Sequence, residues 1–467
     1  MIELMHRTRP MVLAVVVGAS LLTLAGLGAQ GPSARHVVVI SIDGLKPSTY
    51  TQPGPSKIPT LRQLARNGAF ADGVVGVEPT VTYPSHTTII TGVLPAVHGI
   101  YNNRIFDPEG RSNGAWYWYW RDIQVPTLPG VVKALGGSTA AISWPVTVDA
   151  DIDYLVPEYA TLMTHPKGVD LLRALSRPRH LLETFEATGA SITWPLTDRD
   201  RVAMAAWILQ TFRPRLMLLH IFETDDVEHE YGPDTPEALA TIEEADANVK
   251  RVVDAVTAAG LRDRTDFVIV SDHGFLPLAR QLQLNFAFKQ AGLLEVDGAD
   301  RVVRWDAYFY GAGGSGFIVL NKPEDAALRN RVAAILKEIA ADPANGVSAV
   351  WNEADLRRMG AEPRASFGID MKDGFYTGGG HDSLVKKAAA KGGHGYSPDR
   401  PALYASLIMS GPDVGAPGSL GVVRMTRIGP TVASWFGLAL SPQADAPLVL
   451  PAQASTRETG LTPTAGR

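Results

Sequence analysis

His36-Val37-Val38-Val39-Ile40-Ser41-Ile42-Asp43-Gly44 is an almost unbroken apolar run that ends on a carboxylate. Two later stretches repeat it. One is Leu216-Met217-Leu218-Leu219-His220-Ile221-Phe222-Glu223-Thr224-Asp225, with His229 downstream; the other is Phe267-Val268-Ile269-Val270-Ser271-Asp272-His273-Gly274. Runs this apolar predict strands buried on both faces of a parallel sheet. Open α/β sheets bind ligands outside the carboxyl ends of their strands, so the three acidic residues are expected at one edge. Carboxylate oxygens mixed with imidazole nitrogens suit zinc or a similar divalent ion.

The flanking segments keep the rhythm. A helix is predicted from Pro59 to Asn67, stopped by Gly68. A loop then reaches Thr80-Val81-Thr82-Tyr83-Pro84-Ser85-His86, before a short helix, Thr87 to Thr91, closed by Gly92. Pro126 to Leu135 reads as a helix and Thr139 to Ser143 as a strand. Arg199 to Phe212 and Pro236 to Ala259 read as long amphipathic helices. This alternation predicts an α/β fold with a mostly parallel sheet between two helical layers. After Phe275 the pattern changes: a helix over Leu278 to Ala291, strands over Val302 to Tyr310 and Gly316 to Leu320, a helix over Pro323 to Ala341, and a Gly-rich turn over Lys372 to Gly380. An α+β cap inserted at about 276–385 is expected, with the core resuming near Leu403 to Ser410. The main domain would cover 30–450, and the small polar tail, 451–467, reads as disordered.

The chain of 467 residues can bury a large core, and its 45% hydrophobic and 19% charged content is that of a globular protein. A net charge of −5 gives no basic footprint, so a stable nucleic-acid partner is not expected. There are no cysteines, which excludes disulfides, thiolate metal sites, cysteine nucleophiles and lipoprotein anchoring. His6, Arg7 and Arg9 precede an apolar segment, Met11 to Leu27, and a region ending near Ala29 that resembles a cleavage site. Residues 1–29 are therefore expected to be a signal peptide, and the body periplasmic or extracellular. If that segment stays uncleaved it becomes a membrane anchor; otherwise no membrane partner is expected.

Asp225 and His229 are four apart, so a helical turn lets both face one ion. Asp272 and His273 are adjacent and can share an ion only where the backbone is extended or turns sharply. Two later histidines lie beside glycines that allow close backbone approach: His394, in Gly392-Gly393-His394-Gly395-Tyr396, and its rival His381, in Gly378-Gly379-Gly380-His381-Asp382. Thr82 is a candidate nucleophile, because a metal could lower the pKa of its hydroxyl; the competing reading is a helix N-cap. Asn103, in His98-Gly99-Ile100-Tyr101-Asn102-Asn103, could donate to a phosphoryl oxygen, or could be a turn residue.

These residues resemble the nucleotide pyrophosphatase/phosphodiesterase family (type I phosphodiesterases) of the alkaline phosphatase superfamily. The resemblance rests on Pro79-Thr80-Val81-Thr82-Tyr83-Pro84-Ser85-His86, Thr91-Gly92, His98-Gly99-Ile100-Tyr101-Asn102-Asn103, Asp225 through His229 to Gly232-Pro233, Asp272-His273-Gly274 and Gly392 to Tyr396, in the family's order. It implies an alkaline-phosphatase-like three-layer sandwich with two zinc ions. One would be held by Asp43, Thr82, Asp272 and His273, the other by Asp225, His229 and His394. It makes Thr82 the nucleophile and Asn103 the phosphoryl-oxygen ligand, and it favours His394 over His381. Val81 and Ser85 stand where animal members often have Lys and Asn, which touches substrate preference more than chemistry.

The implied reaction is in-line displacement on a small-molecule phosphodiester or pyrophosphate, through a covalent threonine intermediate. Threonine-type monoesterases of the superfamily carry a Lys-x-Arg pair after a strand in the first half. Here Ala140-Ala141-Ile142-Ser143-Trp144-Pro145-Val146-Thr147 holds no cation, which favours diesters. Sulfatases need a Cys or Ser nucleophile with an Arg four residues on, unlike Thr82-x-Pro84-x-His86. Phosphonate or phosphomonoester hydrolysis is the alternative, and an inactive metal-bearing binding protein the more distant one. Tyr83, Trp144, Tyr154 and Tyr159, with the run Trp116 to Trp120, are candidates for an aromatic slot around the ester's organic group.

Overall fold

The computed structural model describes residues 35–159 and 167–451. The expected signal peptide lies outside the described residues, as does the tail beyond residue 451.

The strand His36–Ile42 is buried along its whole length, because both faces of the sheet are covered. It pairs in parallel with Leu216–Ile221 on one side and Thr265–Val270 on the other. Eight strands form this sheet, in the order Gly418–Ser419, Ala69–Phe70, Leu407–Ser410, Thr265–Val270, His36–Ile42, Leu216–Ile221, Thr139–Ile142 and Tyr154–Val156. Leu407–Ser410 runs antiparallel to its neighbours, and the strands from Thr265 to Val156 in that order run parallel.

Alternate residues of each strand enter different cores. Val38, Ile40, Met217, Leu219, Phe267 and Ile269 pack with the helices Pro59–Arg66, Asp198–Thr211 and Pro236–Ala258. Val37, Val39, Leu216, Leu218, Val268 and Val270 pack with Ile89, Ile90, Val132 and Val432, from helices on the opposite face. The result is a three-layer sandwich. Ile42 is in register with Ile221, and Ser41 with Val270, so the segments that follow these strands emerge at one edge.

Residues from Leu276 to Gly393 build smaller sheets with their own apolar core. Four antiparallel strands run in the order Ala307–Gly311, Ser315–Leu320, Ala365–Met371 and Val347–Asn352. The helix expected over Leu278 to Ala291 is instead a strand, Leu276–Leu282, followed by a short helix, Leu284–Gln290. The segment is taken up in strand pairing with Gly374–Thr377, Val385–Lys387 and Gly392–Gly393. The expected turn over Lys372 to Gly380 therefore contains a strand, Gly374–Thr377.

Candidate metal centre and active site

Six of the acidic and histidine side chains singled out in the sequence meet at the carboxyl edge of the sheet, in two clusters of three. Asp43 follows the first strand and Asp272 and His273 follow Thr265–Val270; their ligand atoms lie within 4.8 Å of one another, and all three residues are buried. His273 Nε2 is 3.0 Å from Asp272 Oδ2 and 3.4 Å from Asp43 Oδ1. Asp225, His229 and His394 form the second cluster, also within 4.8 Å. Asp225 is not at the strand end itself but three residues into the helix Glu223–Tyr231, so its i,i+4 partner His229 shares its face. Nε2 of His229 and Nε2 of His394 each lie 3.5 Å from an Asp225 oxygen. The clusters touch where the His273 and His394 rings stack, 3.6 Å apart and 9° from parallel.

The donor set fits two divalent ions. Asp43 Oδ1, Asp225 Oδ1, Asp272 Oδ2 and both ring nitrogens of His273 are buried with no hydrogen-bond partner among the described residues. Such orphaned atoms are costly unless something cationic satisfies them. Other atoms of the two clusters are tied down. Gly44 N–H donates to Asp272 Oδ1 at 3.2 Å, and Asp43 Oδ2 faces His220 Nε2 at 3.1 Å. His229 Nδ1 is held by the Gly392 carbonyl at 2.9 Å and His394 Nδ1 by the Thr80 carbonyl at 3.1 Å. A carbonyl at Nδ1 leaves Nε2 as the lone-pair nitrogen, free to ligate.

The electrostatics agree. Burial, then the charges of Asp272 and Asp225, push the Asp43 carboxyl well above the ordinary range. Burial likewise pushes Asp225 up to about 7. Asp272 goes the other way: burial is outweighed by His273, His86 and His220, which hold its carboxyl low. Burial and the neighbouring His273 and His229 keep His394 neutral well below the usual imidazole range. Crowded carboxylates with neutral imidazoles make a site poised for cations.

Of the two rival histidines, only His394 belongs to such a cluster among the described residues. His381 Nδ1 contacts Asp300 at 3.2 Å, within the smaller sheets' region.

The helix expected to begin at Thr87 begins at Thr82. Pro84 fits its first turn, where an N–H is not needed. Val81 is the N-cap and its side chain caps nothing, so Thr82 is the first helical residue and not a cap. No protein group hydrogen-bonds the Thr82 hydroxyl among the described residues, and its carbonyl accepts from His86 Nδ1 at 2.8 Å. Asn103 Oδ1 accepts from Tyr83 N–H at 2.9 Å, which orients the amide and leaves its NH₂ without a protein partner among the described residues. Asn103, Val81, His229 and His394 line one cleft of about 580 Å³, together with Tyr310, Tyr376 and Gly313.

The aromatic slot is corrected. Tyr83 is fully buried, with its hydroxyl donating to Glu158 Oε1 at 2.8 Å, so it has no free face. Trp144 is fully buried against His86, their rings 4.9 Å apart. Tyr154 stacks on Phe212 at 4.2 Å, and Tyr159 packs edge-on against Trp118 at 4.3 Å. None of the four lines the cleft, whereas Trp116, Tyr308, Tyr310 and Tyr376 do. A cation also reaches the end of the strand Thr139–Ile142, from a different element. Arg201 Nε donates to Ser143 Oγ at 3.1 Å, its NH1 pairs with Asp198 at 3.0 Å, and its guanidinium stacks 3.8 Å over Phe222.

Sequence reasoning passed over His86, His220 and Glu158. His86 Nε2 contacts Ser41 Oγ at 2.9 Å, and its Nδ1 is 3.8 Å from Asp272 Oδ2. His220 spans Asp43 and Glu158, as described below. The available signal was His220 itself, an imidazole inside an otherwise apolar strand.

The sequence family described as type I phosphodiesterase / nucleotide pyrophosphatase matches residues 37–397. An uncharacterized pyrophosphatase/phosphodiesterase of Schizosaccharomyces pombe is 26% identical over 253 residues, 52% of this chain and 45% of that protein. A Bos taurus bis(5'-adenosyl)-triphosphatase is 24% identical over 278 residues, 58% of this chain and 54% of that protein. The chain thus spans about half the length of these curated relatives. The murine ectonucleotide pyrophosphatase/phosphodiesterase 5, solved as an inactive threonine-to-alanine form in complex with AMP, superposes with a TM-score of 0.62. It is 18% identical, with 87% of this chain and 96% of that chain covered. The likeness shows the fold to be the alkaline-phosphatase-like sandwich.

Proposed function

Because the chain belongs to the type I phosphodiesterase / nucleotide pyrophosphatase family, we propose that it hydrolyses phosphodiester or pyrophosphate bonds of small nucleotide-like molecules, with Thr82 as nucleophile. The observation that carries this reading is the pair of stacked three-ligand clusters beside the uncapped helix start at Thr82. Two zinc ions, one on Asp43, Thr82, Asp272 and His273 and the other on Asp225, His229 and His394, would supply Lewis acids at the attacking and leaving oxygens.

The chain's own groups do the rest. Thr82 Oγ attacks phosphorus as its hydroxyl proton is released to solvent, and the Oγ–P bond forms as the bond to the leaving oxygen breaks and the leaving group departs as its anion. Water then cleaves the Oγ–P bond and restores the hydroxyl. The Asn103 NH₂, oriented by Tyr83 N–H, donates to a non-bridging oxygen that gains charge in the transition state. The positive end of the helix Thr82–Thr91 favours the same charge. The cleft of about 580 Å³ receives the organic group.

Charge count favours diesters. A monoester carries nearly two charges and a diester one. Arg104 is the only Lys or Arg among the described cleft residues, and the Arg201 charge is paired with Asp198. The bovine relative's name makes bis(5'-adenosyl) polyphosphates natural compounds to assay. The inactive threonine-to-alanine form of the murine relative supports a threonine nucleophile here. Export follows from the basic start and apolar segment near the N-terminus; among the described residues no helix is long and apolar enough to cross a membrane.

The reading is tested by measuring turnover of an aryl phosphodiester, an aryl phosphomonoester and phosphonoacetate side by side. The diester is expected to be cleaved fastest. A faster monoester or phosphonoacetate reaction would replace the reading with the corresponding hydrolase.

A further inference from the structure

A continuous chain of buried side chains runs from behind the nucleophile to the metal cluster. Tyr83, the residue after Thr82, donates its hydroxyl to Glu158 Oε1 at 2.8 Å. Glu158 Oε2 faces His220 Nδ1 at 3.0 Å, and the Ser143 carbonyl faces the same nitrogen at 3.0 Å. His220 Nε2 faces Asp43 Oδ2 at 3.1 Å. Tyr83 is fully buried, His220 is 1% exposed and Glu158 8% exposed. Asp43 Oδ1 is left with no hydrogen-bond partner, pointing into the cluster with Asp272 and His273.

We propose that His220 is a positioning residue that selects which oxygen of Asp43 is offered to the metal, and that Glu158 and Tyr83 hold His220 in place. The proposal rests on the two-metal reading above and deepens it. A carboxylate free to rotate can present either oxygen. Here Oδ2 is tied to a ring that faces acceptors on both sides, a carboxylate and a carbonyl at Nδ1 and Asp43 at Nε2, and so holds Oδ2 as an imidazolium with an N–H at each nitrogen. Outer groups that fix a ligand commonly change metal affinity about 10–100-fold when removed. The arrangement is one-sided: His220 contacts Asp43 and none of Asp225, His229 and His394 through a hydrogen bond. The loss should therefore fall on one ion of the two. The chain also ties the nucleophile's helix to the same ligand, since Tyr83 is the second residue of that helix.

The test is metal affinity, read by competition between the whole protein and a fluorescent zinc chelator. Wild type is expected to give two zinc-binding constants. The Asp225→Asn protein, which keeps the cluster containing Asp43, identifies which constant belongs there. His220→Leu should weaken the Asp43-side constant about 10–100-fold and leave the other within about twofold. Its kcat should fall at limiting zinc and recover at excess zinc, with KM unchanged. Glu158→Gln keeps an acceptor for His220 but removes the charge, and should weaken the same constant alone, by roughly severalfold. If His220→Leu does not fold, Glu158→Gln carries the test. Both constants unchanged, or both weakened equally alongside a loss of thermal stability, would overturn the proposal and make the chain plain packing. Fewer than two zinc ions in wild type would instead overturn the two-metal reading on which it rests.

Discussion

Replacing Asn103 separates the hydrogen bond its side chain makes from the phosphoryl contact proposed for it. Its Oδ1 accepts the Tyr83 N–H at 2.9 Å, in the first turn of the helix Thr82–Thr91, and its NH₂ has no protein partner among the described residues. Asn103→Ala removes both. Loss of one donor to a developing oxyanion lowers turnover about 10²–10³-fold, or about 2.7–4 kcal/mol of barrier. Loss of the acceptor for a part-buried N–H costs about 0.5–1.5 kcal/mol of stability. Asn103→Asp keeps the acceptor but places a carboxylate where the phosphoryl oxygen should bind. It should therefore be close to wild type in stability and at least as impaired as Asn103→Ala in turnover. Steady-state rates on an aryl phosphodiester, with thermal melts of the same zinc-loaded proteins, read the two effects apart. An Asn103→Asp protein with wild-type kcat, or an Asn103→Ala protein within about threefold of it, would refute the role given to the amide.

Three further outcomes are expected. His394→Ala should lose one of two zinc ions by elemental analysis and most activity, whereas His381→Ala, whose Nδ1 contacts Asp300, should keep both ions; the reverse result would show the last ligand to be misassigned. Asp266 is buried on the strand Thr265–Val270 with Oδ2 unpartnered, and burial pushes its carboxyl up to about 7 against the pull of Arg35 and Arg262. The folded state thus holds a proton the unfolded chain has released, so this contribution, at most about 4 kcal/mol, is present below the unfolded pKa and is lost as pH rises through about 7. Asp266→Asn should flatten the decline in melting temperature between acid and alkaline pH, and an unchanged slope would exclude Asp266 as its source. Finally, mass spectrometry of the exported protein should find a new N-terminus near residue 30, and an intact Met1 would support an anchor.

The sheet was legible because its strands are buried on both faces and so read as apolar runs ending on acidic residues. The helices on the outer layers followed from their 3.6-residue stripes and from Pro and Gly at their ends. Segments with weaker patterns were harder. Leu276–Leu282 has neither a clean alternation nor an apolar run: although it is the central strand of a small sheet, its middle residues stay partly or fully exposed. The start of the helix at Thr82 was hidden because its first turn carries Thr, Tyr and Pro rather than an apolar stripe. Among the site residues, spacing pointed to Asp225 with His229 and to Asp272 with His273, and the structure brings each pair together. His394 depended on resemblance, since nothing local separates it from His381. Of the rings expected around the organic group, Trp116 lines the cleft while Tyr83 and Trp144 are consumed by packing, because composition shows that rings are present and not which faces stay open. The link from Tyr83 through Glu158 and His220 to Asp43 joins residues up to 177 apart in sequence and leaves no local pattern to read.

The central claim is that Thr82 forms a covalent bond to phosphorus within a two-metal site. Rapid-quench mass spectrometry of zinc-loaded protein turning over an aryl phosphodiester tests it most directly, with Thr82→Ala as the paired sample. The account predicts a transient adduct on the peptide containing Thr82 in wild type. In Thr82→Ala it predicts no adduct, severely reduced diester turnover and intact folding. Near-normal turnover by Thr82→Ala, or a wild-type adduct on another residue, would contradict it.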